Sequence, residues 1–192
     1  MANEQAALFL GKGGEDWARF LKTDAALDFC GWHFKDFDLG NRDFPRAANF
    51  DRATFELVDM SGCVFQKGAT FRNARFNKRM RMVFTSSTDI IDFSEVDFFD
   101  DVEMKLAGGH HRLKFDGAKF HKKLSIWGPE HGNLDFSSVE FHGDVSVTPK
   151  AGRISFKDAK FGIDNPISAT FKAEFTGYAN FDRSFLRCSS FR

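Results

Sequence analysis

The sequence is short of the residues that announce chemistry. It has three cysteines, Cys30, Cys63 and Cys188, at no motif spacing. That excludes a C-x-x-C redox or zinc motif and gives no ground for a disulfide framework. Acidic and basic residues balance at 27 each, so there is no general pull toward nucleic acid or an anionic membrane. No apolar run approaches the ~18 residues a membrane span needs. The opening "MANEQAALFLGKGGEDW" lacks the basic start and long apolar stretch of a signal peptide. Reduced thiols in a cytoplasmic protein are the expectation. "GKGG" at Gly11 has neither the spacing nor the Ser/Thr of a phosphate loop, and H-E-x-x-H and G-x-S-x-G do not occur. No cofactor, metal or catalytic residue is assigned.

What the chain has instead is phenylalanine: 26 Phe against one Tyr and three Trp. A binding surface favours Tyr and Trp, which carry a polar handle; Phe suits a dry interior. The rings recur at a fixed period. One series is Phe29, Phe50, Phe71, Phe93, Phe115, Phe136 and Phe156. A second runs five residues behind it: Phe34, Phe55, Phe76, Phe98, Phe120, Phe141, Phe161 and Phe181. A third is aliphatic: Leu39, Met60, Met82, Met104, Ile126 and Val147. A fourth begins as Phe44 and Phe65, fades, and resumes near Phe171 and Phe191. A repeat of 20–22 residues is sought before any secondary structure is assigned. A small or apolar residue, such as Ala48, Ala53, Val58 or Cys63, often sits two before each large one, which is strand alternation. Each five-residue side is therefore a very short strand with two inward residues, and about four sides make a coil. Stacked coils turn the series into interior columns.

The segments "NFDRATF", "KGATFRNARF", "FDGAKF", "FKDAKF" and "GYANFDRSF" resemble the pentapeptide repeat family, whose motif is Ala-(Asp/Asn)-(Leu/Phe)-X-X. The resemblance covers about residue 26 to the end. It implies an all-β solenoid: a right-handed four-sided parallel β-helix of about seven to eight coils. Residues 3–22 read as a helix with Gly11, Gly13 and Gly14 weakening its middle. The expected organisation is a helical cap over 1–25, with Trp17 as a plug, and the repeat β-helix over 26–192.

Charge is read through the stacking. Residues 72–81, "RNARFNKRMR", carry five bases, and "DFSEVDFFDDVE", about one coil on, carries six acids. Arg75, Lys78, Arg79 and Arg81 each lie 22 residues before Asp97, Asp100, Asp101 and Glu103. The ladder continues through Lys119, Glu140 and Lys160, and a second file alternates as Asp92, Lys114 and Asp135. Opposite charges on neighbouring strands contribute ~0.2–1 kcal/mol each and penalise a slipped register. This reading is preferred to nucleic-acid binding. His121 and His142, 21 residues apart, read as a surface ladder pair.

The fourth side is the local anomaly. "TSSTD", "AGGHH", "WGPEHG" and "TPKAG" stand where Phe should recur, and their Gly, Pro and polar content reads as loops. Stacked loops form a ridge, and the loop face of a solenoid is often its binding face. The candidate partner-binding residues are His110, His111, Trp127, Glu130, His131 and Lys150. The expected function is a non-catalytic protein–protein interaction scaffold or rigid spacer, with its protein partner unknown. Short sides offer no deep pocket of the kind enzymes use. The alternative, implied by the resemblance, is a DNA-mimicking modulator of a type II topoisomerase (gyrase), which alternating charge weakens. Core-column rings near the C-terminal end, Phe185 and Phe191, also suggest a homodimer through that end.

Overall fold

A computed structural model describes residues 10, 14–35, 37–84, 89–107, 111–128, 132–148, 150–171 and 178–191. The chain winds as a parallel β-solenoid. Three sheets of eight strands run its length, and a fourth sheet has two strands, Asp43–Phe44 and Val64–Phe65. Every neighbour in a sheet is one coil away in sequence, so all pairing is parallel. The first sheet holds the strands beginning Leu27–Asp28 and Ala48–Asn49, the second those beginning His33–Phe34 and Thr54–Phe55. The third begins with Phe37–Asp38 and Val58–Ser61.

The interior is the set of columns expected from the period. Within the first two ring series, successive Phe centroids up to Phe156 and Phe161 lie 4.5–5.4 Å apart with nearly parallel planes. That spacing is the strand separation itself, so backbone pairing and ring stacking reinforce one another. Leu39, Met60, Met82, Met104, Ile126 and Val147 form the buried aliphatic column. Cys63 sits in a small inward position, its thiol donating to the Leu39 carbonyl at 2.8 Å. Burial pushes that thiol up to about 12, so it is a packing group.

The top of the repeat differs from the sequence expectation in several places: Phe171 and Phe191 lie on the third sheet, opposite Val147 and Ala169, and do not resume the fourth series. Phe181 does not continue the column of Phe161. It stacks on Phe156, at 4.9 Å, because Ser155 pairs with Asn180. The last coil is longer, 25 residues from Phe156 to Phe181, and this moves each later residue back one side. Leu186 therefore stands opposite Phe161, while Phe185 stands opposite outward-facing Lys160 and is 56% exposed. Phe185 is not a core residue.

The corner between the first and second sheets explains the Asp/Asn preference ahead of the ring. Asp28, Asn49, Asp92, Asp135 and Asn180 each accept the amide N–H two residues on, which is an Asx turn. The following residue has positive φ, as at Gly31, Arg52, Asn73, Glu95, Gly117 and Ser138, and the next N–H closes back on the Phe carbonyl. This is the type II geometry, with its left-handed third residue.

Asp92 is the buried member of that file, at 4% exposure. Burial works against its charge. The Ser94 hydroxyl and amide, and Arg72 Nε at 2.8 Å, outweigh burial and hold its carboxyl below the ordinary range. A depressed carboxyl contributes stability above its unfolded pKa and loses it as pH falls through the folded pKa. Asp92→Asn is therefore expected to cost about 1–2 kcal/mol at neutral pH. In denaturant titrations from pH 7 downward, the gap to wild type should close in the acid range below the ordinary carboxylate value. A gap independent of pH would contradict this.

The expected helix over 3–22 is described as Gly14–Leu21, plus a helical Leu10. Glu15 and Asp16 in its first turn and Arg19 in its last complement the helix dipole. Its buried face carries Trp17 and Phe20, each 3% exposed. The Trp17 ring stacks on Phe20 and meets Phe44 edge-on at 5.5 Å, and its Nε1 donates to the Asp43 carbonyl at 3.1 Å. The helix thus covers the first coil.

Candidate interaction face

Where the two-stranded fourth sheet ends, the first and third sheets change. Third-sheet strands lengthen to five residues, Met80–Phe84 and Val102–Leu106. Their last residues, Phe84 and Leu106, are buried and carry the core on where Phe65 has no successor. Beyond them stands Gly128, with φ 144°; a Cβ there would lie 2.0 Å from the Leu106 carbonyl oxygen. Only glycine allows that approach.

The first sheet lengthens too, in Ile90–Asp92, His111–Lys114, Gly132–Asp135 and Ala151–Ser155. Strand alternation buries Ile91, Leu113, Leu134 and Ile154 and leaves two outward files. One file is Ile90, Arg112, Asn133, Arg153 and Tyr178; the other includes Lys114, Asp135 and Ser155. Between them runs an open groove of about 390 Å³. A β-bulge is needed to complete it. Gly132 pairs with Ala151, but Asn133 pairs with Arg153, so Gly152 is the extra residue. Were Gly152 paired in regular register opposite Asn133, Arg153 would fall in the inward register of Leu134. Bulges re-aim side chains in this way.

The groove gathers several charged side chains. Elsewhere several ladder charges are paired: Arg72 with Asp92 at 2.8 Å, Lys160 with Glu140 at 2.9 Å, Arg183 with Asp158 at 2.7 Å, and Arg79 with Glu103. The bond from Lys160, with Lys119 beside it, holds the Glu140 carboxyl below the ordinary range against its partial burial. Lys114 reaches Asp116 at 3.9 Å, and the groove as a whole is lined by three cations, Arg112, Lys114 and Arg153, and one acid. That acid, Asp135, is already bonded to the Ser137 amide and hydroxyl. Arg112 has no ion pair among the described residues. Arg153 lies over the Tyr178 ring at 5.7 Å, within cation–π range. Tyr178 is 59% and Ile90 41% exposed, so apolar groups stand at both ends of the file.

The sequence-predicted ridge is only partly on view. His110, Glu130 and His131 lie outside the described residues. His111 is not in a loop: it opens a first-sheet strand and pairs with Gly132. Trp127 ends a third-sheet strand beside Lys105 and is half-buried. Lys150 is exposed, and its carbonyl accepts the Gly132 amide at 3.2 Å. These residues flank the interruption on two different sheets. The expected register of charges is observed, for example Arg75 with Asp97 and Lys119 with Glu140, but several ion pairs run diagonally. Arg75 lies over the Phe99 ring at 4.7 Å, and Asp97 meets His121 at 3.5 Å. His121 and His142 do stack, at 5.2 Å, with Phe99 on the other side of His121.

Sequence reasoning missed Ile90, Arg112, Arg153 and Tyr178. Steps of 22, 21 and 20 residues from Ile90 through Arg112 and Asn133 to Arg153 were the available signal. Among the described residues no group of three or more His, Cys, Asp or Glu could hold a metal, and no helix is long and apolar enough to cross a membrane. The chain matches no family model, no curated protein and no solved structure.

Proposed function

We propose that this chain is a non-catalytic interaction module, a right-handed four-sided β-helix of pentapeptide-repeat type with seven to eight coils, that engages a protein partner through the first-sheet groove. The supporting observation is the clustering of cations with exposed apolar and aromatic side chains in one groove. Arg112 and Arg153 stand beside exposed Tyr178 with no carboxylate partner among the described residues, in a groove whose other charged groups are Lys114 and Asp135. Interfaces favour this combination of arginine and aromatic residues. The topoisomerase reading needs an unbroken acidic face, and the cations bonded to Asp92, Glu103, Glu140 and Asp158 count against it. Exposed Phe185 and Leu186 on the last second-sheet strand also support association between chains.

The test is capture from native cell extract on immobilised chain, with Arg112→Glu/Arg153→Glu alongside wild type. The double variant should keep the wild-type circular dichroism and melting temperature and lose the captured partner by about tenfold or more. Equal capture by both proteins would overturn the assignment of the groove.

A further inference from the structure

The geometry points to an acidic, proline-rich segment in the polyproline II conformation as the partner element that lies along the groove, its acids spaced three residues apart. This rests on the reading of the groove as a protein-binding face and names what it takes. Arg112 and Arg153 are two coils apart in one file, with Asn133 between them. At roughly 4.8 Å per strand their Cα atoms are separated by about 10 Å along the solenoid axis. A polyproline II helix repeats every three residues with a rise of about 3.1 Å each, so groups at i and i+3 share a face about 9.3 Å apart. An extended strand does not fit, because its residues i and i+3 point to opposite faces.

The ends of the file fit the same ligand. Ile90 stands one coil before Arg112 and Tyr178 one coil after Arg153. Proline rings pack on aromatic and apolar surfaces, and the preformed helix loses little entropy on docking. The guanidinium groups, which have no carboxylate partner among the described residues, then receive the two acids, in bonds stronger than neutral ones. The bulge at Gly152 acquires a purpose here, since it sets Arg153 in the file with Arg112.

The probe is the fluorescein-labelled peptide Gly-Pro-Pro-Glu-Pro-Pro-Glu-Pro-Pro-Gly, titrated with the full chain and followed by polarisation. Saturable binding is expected. It should weaken about tenfold in Arg112→Gln and in Arg153→Gln, and stay unchanged in Lys119→Gln on the second sheet. A peptide with its two acids adjacent, and one with both replaced by lysine, should bind at least tenfold more weakly. The inference is overturned by no saturation up to about 1 mM, by equal binding of the adjacent-acid peptide, or by tighter binding of labelled oligothymidylate. If the extract partner is lost from the groove variants while the peptide fails to bind, the groove remains a protein-binding face and the polyproline inference alone falls.

Discussion

Phe71→Ala should lower the unfolding free energy by roughly 3–5 kcal/mol, read as a fall in the urea midpoint. The ring has no exposed surface. It stacks between Phe50 and Phe93, at 4.8 Å on each side, and meets Phe65 edge-on at 6.2 Å. Truncation therefore opens a cavity and also cuts a column of stacked rings. Each coil of a solenoid touches only its neighbours, so nothing from elsewhere in the rod can fill the gap. Phe181→Ala should cost clearly less, because that ring, which stacks on Phe156 and meets Phe171 edge-on, is only partly buried. Equal losses at the two positions would contradict a core built from columns.

Trp17→Ala should cost about 3–5 kcal/mol as well, for a different reason. It removes no link of the columns but uncovers their first rings. The indole shields Phe44, stacks on Phe20, and ties the helix to the Asp43 carbonyl. Trp17→Phe keeps a ring over Phe44 and loses the hydrogen bond, so it should cost only about 1 kcal/mol. A loss in Trp17→Phe as large as in Trp17→Ala would show that the indole N–H, not coverage, is what matters.

Much of the fold was legible because two constraints share one period. The strand separation and the ring stacking distance are nearly equal, so a Phe every 21 or so residues signals both. Charge register was legible for the same reason, as Arg75 and Asp97 illustrate. The particular ion pairs were not, because long side chains reach diagonally, as Arg79 does to Glu103. Phe84 and Leu106 were missed because the chain there runs straight: the core residue comes two positions after Met82 or Met104 and not five. Phe181 was misplaced because a longer last coil keeps the five-residue spacing while shifting the side. The groove was hidden by one residue. Gly152 reads in sequence as part of a loop, yet it sets the register that brings Arg153 into the file of Arg112.

The most direct test of the account is amide hydrogen exchange on the chain with and without the partner captured by the wild type. Binding should slow exchange in His111–Lys114, Gly132–Asp135 and Ala151–Ser155, the strands that carry the groove. Exchange in Lys119–Phe120 and Glu140–Phe141, on the second sheet, should not change. Protection confined to the second sheet, with the groove strands unaffected, would contradict the account.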